Sequence, residues 1–221
     1  MASPFDAPLL AAAARLDELR AVLMFHDNLR SHPRSNELAR TSRAWAYVAM
    51  AAALEDLVRG FLDELTRYIN SAGLALSDIN LGVVSLVAAP DFDSAASGRG
   101  QRMWGRRSTI LELAGSAQIA TVPGDLRPLD GRTIKQIHLE SLWQIYGLAG
   151  PPLPSPLHAL ALRDLSEGRN AVAHGNVDPN SFGAQKPYQD VLRRVEQVED
   201  IVLHLAAAGA TYVANAGWRR R

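Results

Sequence analysis

The chain has 221 residues, enough for one domain with a full hydrophobic core. Hydrophobic residues make up 48% and charged residues 21%, a balance that excludes a disordered tail and describes a globular protein. With 23 Lys+Arg against 23 Asp+Glu and no cysteine, no global field draws the chain onto a polyanion, and disulfides, thiolate zinc sites and cysteine nucleophiles are excluded.

Helix punctuation is legible from the start. Pro8 suits a first helical turn, Leu9, Leu16, Leu19 and Leu23 follow, and Pro33 closes a first helix predicted over 8–31. The Ala-rich start of this segment has no basic leader before it and is soon broken by Arg15, Asp17 and Glu18. No apolar run in the chain reaches the length of a membrane span, so the expectation is a cytoplasmic protein with no membrane partner. Ser35 is expected to cap a second helix, 35–71, in which Val48, Leu54, Leu57, Phe61, Leu65 and Tyr68 recur at threes and fours before Gly73 ends it.

A third helix, about 77–89, is expected to stop at Pro90. The Gly/Ser/Asp-rich residues 91–100 read as a mobile loop leading into a fourth helix, 102–114. Asp130 is placed to cap a fifth, 132–146, after which Gly147 and the Pro-rich 150–156 turn the chain back. Ser155-Pro156 is a cap followed by a favoured first residue, and it opens a sixth helix, 156–174, that Gly175 ends. Pro187 opens the seventh, 187–216, with Val191, Val195, Val198, Val202, Leu205 and Tyr212 at alternating fours and threes. No segment reads as a strand, so the predicted architecture over 1–221 is one all-α bundle of about seven helices.

The sixth helix carries the most informative residues. At about 100 degrees per residue, Leu157, Ala161, Leu165, Gly168 and Val172 form an apolar stripe, with Glu167, Asn170 and His174 on the other side. Asn170 and His174 are four apart and adjacent on one face, and Arg169 reaches them by extending around the helix. His174 falls in the last turn, where unpaired carbonyls favour a cation, and histidine is the residue type suited to proton transfer near neutrality. Taken singly, each of these residues also fits an ordinary solvated helix end.

Together, Arg169-Asn170-x-x-x-His174 followed by Gly175-Asn176 resembles the Arg-x(4 to 6)-His signature of HEPN domains. It ends a penultimate helix that follows a Pro-rich turn and precedes a long final helix, and the order of the Trp45–Tyr68, Ile134–Leu148 and C-terminal segments is similar to that of bacterial HEPN proteins. The resemblance implies a HEPN-like bundle and a metal-independent endoribonuclease with no cofactor. Two protomers would face one cleft as a homodimer, and an RNA 2′-hydroxyl would attack the adjacent phosphate. His174 would be general base or acid, Arg169 would neutralise phosphate charge, and Asn170 would orient either. Relatives of this kind are toxins of toxin–antitoxin pairs or phage-defence effectors, so the partners implied are RNA and an antitoxin such as a minimal nucleotidyltransferase. In some such proteins a polar residue nearby supports the signature, which makes Glu55 and Glu167 candidates.

Arg102, Trp104, Arg106 and Arg107, with Arg99, are candidates for contacting single-stranded RNA through phosphate pairing and base stacking; a solvated helix start with one anchored Trp is the more common account of such a run, and a disordered terminus accounts for Trp218-Arg219-Arg220-Arg221. His26, His32, His138, His158 and His204 show no metal-type spacing, and no metal site is predicted. There is no GxxxxGK[ST] loop, no GxGxxG turn and no serine elbow. Two other functions compete with the nuclease: a non-catalytic HEPN module binding RNA, a nucleotide or a partner protein through Arg169, and a helical adaptor in which the signature is accidental.

Overall fold

The threes-and-fours spacing of apolar residues produces nine α-helices among the described residues and, as expected, an all-α architecture. The computed structural model describes residues 3–29, 34–124, 129 and 133–220. Pro33 and Asp130, expected to end the first helix and cap the fifth, lie outside them, as do His32 and Arg221.

α1 (Asp6–Asn28) and α2 (Ser35–Ser71) lie antiparallel, since Arg15 pairs with Asp56 while His26 pairs with Ser42. At 1.5 Å per residue the 37-residue α2 is about 55 Å long, and it is the spine against which α1, α7, α8 and α9 pack. Leu54, Leu57, Phe61 and Leu65 are buried as the periodicity requires; Val48 and Tyr68 are only partly so, and Ala46, Tyr47, Met50 and Ile69 carry the buried stripe to both ends. Ser35 begins the helix rather than capping it: the N-cap position is Arg34, and no side chain takes up the cap.

The largest departure lies between residues 76 and 114. A 3₁₀ turn at 76–78 and α3 (Leu81–Val87) replace the single expected helix. They are separated because the Asn80 side chain accepts the Val83 N–H at 2.9 Å and starts α3 afresh. Pro90 does not stop a helix: it sits in the first turn of α4 (Ala89–Ser97), where its missing N–H costs nothing. The expected loop 91–100 is therefore mostly helical. α5 (Gln101–Ala114) folds back on α4, and of the two only Ile110 is buried.

α6 (Gln136–Tyr146) starts later than the predicted 132 and is followed by Gly147 in the left-handed region. α7 (Pro156–Ala173) has the expected bounds, but the Ser155 hydroxyl bonds the His158 ring at 2.9 Å instead of a backbone amide. The short α8 (Pro179–Ala184), capped by Asp178, lies between the sixth and seventh expected helices, in a stretch to which sequence spacing assigns no helix. In α9 (Tyr188–Ala214) all six of the predicted apolar positions are buried. The tail folds back on the bundle: Asn80 N–H donates to the Trp218 carbonyl at 2.8 Å and Arg220 N–H to the Asp78 carbonyl at 2.7 Å, so Trp218 is buried and Arg220 is anchored. No helix among the described residues is long and apolar enough to cross a membrane.

Candidate functional site at the end of α7

α7 is held on three sides. Its inner face buries Ala161, Leu162, Leu165, Gly168 and Val172; Leu157, assigned to this stripe from spacing, is 64% exposed, and Leu162 takes its place. The helix turns so that Gly168 faces α2, where a Cβ would stand 2.3 Å from Tyr47 Cδ1. Only glycine permits that approach.

A polar clamp sets the second side. The Asp164 carboxylate accepts the Tyr47 hydroxyl at 3.0 Å, Lys186 Nζ at 2.9 Å and Arg194 Nε at 3.1 Å. It thereby ties α7 to α2, to the α8–α9 turn and to α9. Lys186 also lies over the rings of Tyr47 and Phe182, at 5.1 and 5.3 Å. Burial alone would raise the Asp164 pKa, but the bond from Lys186 and the Arg194 charge outweigh it and hold the carboxyl below its ordinary range. Sequence spacing did not disclose this group, because its members come from four separate segments. On the third side His158 reaches Asp200 of α9 at 3.3 Å.

So fixed, the helix presents Arg163, Glu167, Asn170 and His174 at spacings of four, three and four along one ridge. The Arg169 guanidinium turns toward this ridge and donates to the Asn170 side-chain oxygen at 3.2 Å. His174 is the C-cap; its backbone N–H returns to the Asn170 carbonyl at 3.2 Å, and Gly175 at φ +66° turns the chain away. The imidazole is exposed and has no hydrogen-bond partner among the described residues. The three signature residues thus come together at one exposed helix end, with a cation, an amide and a titratable ring available to a ligand. Compared with family models, curated proteins and solved structures, the chain matches none.

A cleft of about 540 Å³ between α6 and α7 is bordered by Asn170 and Glu167. A second, of about 520 Å³, lies across α7 and is lined by the clamp residues. Arg163 and Glu167 border both. Glu167 is therefore at the site, whereas Glu55 has no bond to any signature residue. It lies two turns along α2 from Tyr47, about 12 Å, with one carboxylate oxygen buried and unpartnered among the described residues.

The arginine cluster around Trp104 divides between two faces of α5. Arg102 and Arg106 line a cleft against α4, and Arg106 pairs with Asp91 at 3.1 Å. Trp104, two residues from Arg102 and so on the other side of the helix, is 63% exposed with the Arg107 guanidinium 4.9 Å from its ring. No group of three or more His, Cys, Asp or Glu among the described residues is arranged to hold a metal ion.

Proposed function

We propose that the chain is an endoribonuclease of the HEPN type, acting as a homodimer and serving as a toxin or phage-defence effector held in check by an antitoxin. The observation that carries this reading is the gathering of Arg169, Asn170 and His174 at the exposed end of α7, on a ridge anchored from three sides.

In the proposed reaction the 2′-oxygen of RNA attacks the adjacent phosphorus and the bond from phosphorus to the 5′-oxygen breaks. A 2′,3′-cyclic phosphate and a free 5′-hydroxyl result. One proton leaves the 2′-hydroxyl and another must reach the departing oxygen. A histidine performs either transfer when it is within hydrogen-bond reach, but one protomer brings a single His174 to this ridge. A second copy facing the first supplies the other ring, and this is the physical reason for a dimer. Arg169, preoriented by Asn170, stabilises the charge that grows on the phosphate.

The test is cleavage of single-stranded RNA by His174→Ala. This side chain is exposed, so the variant keeps its helical circular dichroism and loses activity by at least about 100-fold, the lower range for a positioned proton-transfer group. Cleavage at the native rate by the folded variant contradicts the assignment. One feature favours a second reading, an RNA- or nucleotide-binding module: the isolated chain brings only one histidine to the site. That reading predicts binding weakened by Arg169→Ala and unaffected by His174→Ala.

A further inference from the structure

Two large apolar side chains on neighbouring helices stand in water: Ile137 of α6 is 59% exposed and Leu160 of α7 is 53% exposed, and both line the 540 Å³ cleft that ends at Asn170. Its volume lies within the range of small-ligand clefts, and Ile137, Ala159 and Leu160 give it apolar walls between polar and charged groups. Neither side chain fills the core, and the two face one cleft instead of standing apart on the surface.

The polar lining is specific in kind. Gln136 donates to one Glu140 oxygen at 2.7 Å, and the Glu167 carboxylate has no partner among the described residues. Lys135 and Arg163 border the same cleft, so its four charged groups cancel. A phosphate gains little there, while a flat, uncharged, hydrogen-bonding group gains from both walls.

We propose that this cleft is the nucleobase subsite of the ribonuclease: an unpaired base lies between Ile137 and Leu160, with its phosphate directed past Asn170 toward Arg169 and His174. This assignment rests on the ribonuclease reading for its choice of ligand. Carboxylates only accept hydrogen bonds, so Glu167, with Glu140, pairs with an exocyclic amino group. Guanine, adenine and cytosine carry one, whose two N–H donors can serve both carboxylates, whereas uracil offers only its single ring N3–H. The subsite therefore favours amino-bearing bases over uracil. It also requires single-stranded RNA, because a paired base has its amino edge occupied.

The probes are the four nucleoside 3′-monophosphates, titrated calorimetrically into the full chain and its Leu160→Ala, Leu160→Met and Glu167→Gln variants. All three substitutions are at cleft positions outside the core. The native protein binds the three amino-bearing nucleotides about tenfold more tightly than 3′-UMP. Leu160→Ala weakens all four by about tenfold, Leu160→Met restores them, and Glu167→Gln removes the preference without abolishing binding. No nucleotide binding, or binding that ignores Leu160 and Glu167, overturns the subsite. The outcomes separate the two assignments. Cleavage that depends on His174, with nucleotide binding indifferent to the cleft, leaves the ribonuclease standing and the subsite refuted. The predicted nucleotide pattern in a protein that cuts no RNA supports the cleft as a nucleotide site and refutes the ribonuclease.

Discussion

At the scale of single residues, Arg169 and Asn170 form a pre-set pair. A guanidinium that already donates to the Asn170 oxygen at 3.2 Å spends less rotamer entropy when a phosphate arrives. Asn170→Ala releases Arg169, and the expected result is a rise in KM for RNA of about tenfold, together with a smaller fall in kcat, in steady-state cleavage assays. Arg169→Lys keeps the charge but loses the planar fork that matches a phosphate; its activity should fall close to that of Arg169→Ala. An Arg169→Lys enzyme with native kcat/KM shows that charge alone suffices. Gly168, one residue earlier, works through packing. A methyl 2.3 Å from Tyr47 Cδ1 forces a shift of α7 or of the ring, so Gly168→Ala should cost about 1–3 kcal/mol. In a chain of this size that is about 2–4 °C of Tm per kcal/mol, read by thermal denaturation.

At the scale of elements, the clamp on Asp164 joins α2, α7 and α9 and has a defined pH window. The folded-state pKa of Asp164 is depressed, so its stabilisation is present above the unfolded carboxylate value and is lost as pH falls through the lower folded one. For Lys186 burial lowers the pKa, yet the bond to Asp164 outweighs it and the folded value is raised. Its contribution is therefore complete below the unfolded lysine value and lost as pH rises through the folded one. The clamp is thus intact from about pH 4 to pH 10, between the ordinary Asp and Lys values. Asp164→Asn should flatten the fall in Tm that native protein shows below about pH 4; an unchanged acid limb would mean that other carboxylates dominate.

The same elements mark what can be read from sequence. α7 and α9 have strong punctuation and long periodic stripes, and their bounds agree with those expected to within a few residues. Residues 76–114 do not, because local signals there serve two purposes. Pro90 marks a helix start as readily as a stop, and the Gly98-Arg99-Gly100 break separates two helices where composition suggested one loop. Spacing alone puts Leu157 in the core, since periodicity cannot tell a buried leucine from an exposed one at the start of the same stripe. Arg169, Asn170 and His174 were visible because they lie within six residues. Tyr47, Asp164, Lys186 and Arg194 were not, since only folding brings them together.

At the scale of the whole molecule, formal charge is zero, so under the proposed function RNA affinity would have no long-range attraction to draw on and would come from local contacts. The expected salt dependence is shallow, with a log–log slope of about −0.7 to −1.4 for a single strand held through one or two phosphates, measured by fluorescence anisotropy. A homodimer is the second whole-molecule expectation, since the proposed cleavage takes two proton transfers and each protomer brings one His174. Analytical ultracentrifugation should find twice the chain mass, and a strictly monomeric protein that still cleaves RNA would rule out the paired site.

The most direct measurement is incubation of purified protein with mixed RNA in EDTA beside an Arg169→Ala/His174→Ala control of matched helical content. Cleavage by the native protein alone, leaving 2′,3′-cyclic phosphate ends or their opened products, is the predicted result. Equal cleavage by both proteins, or none by either, contradicts a ribonuclease centred on the end of α7.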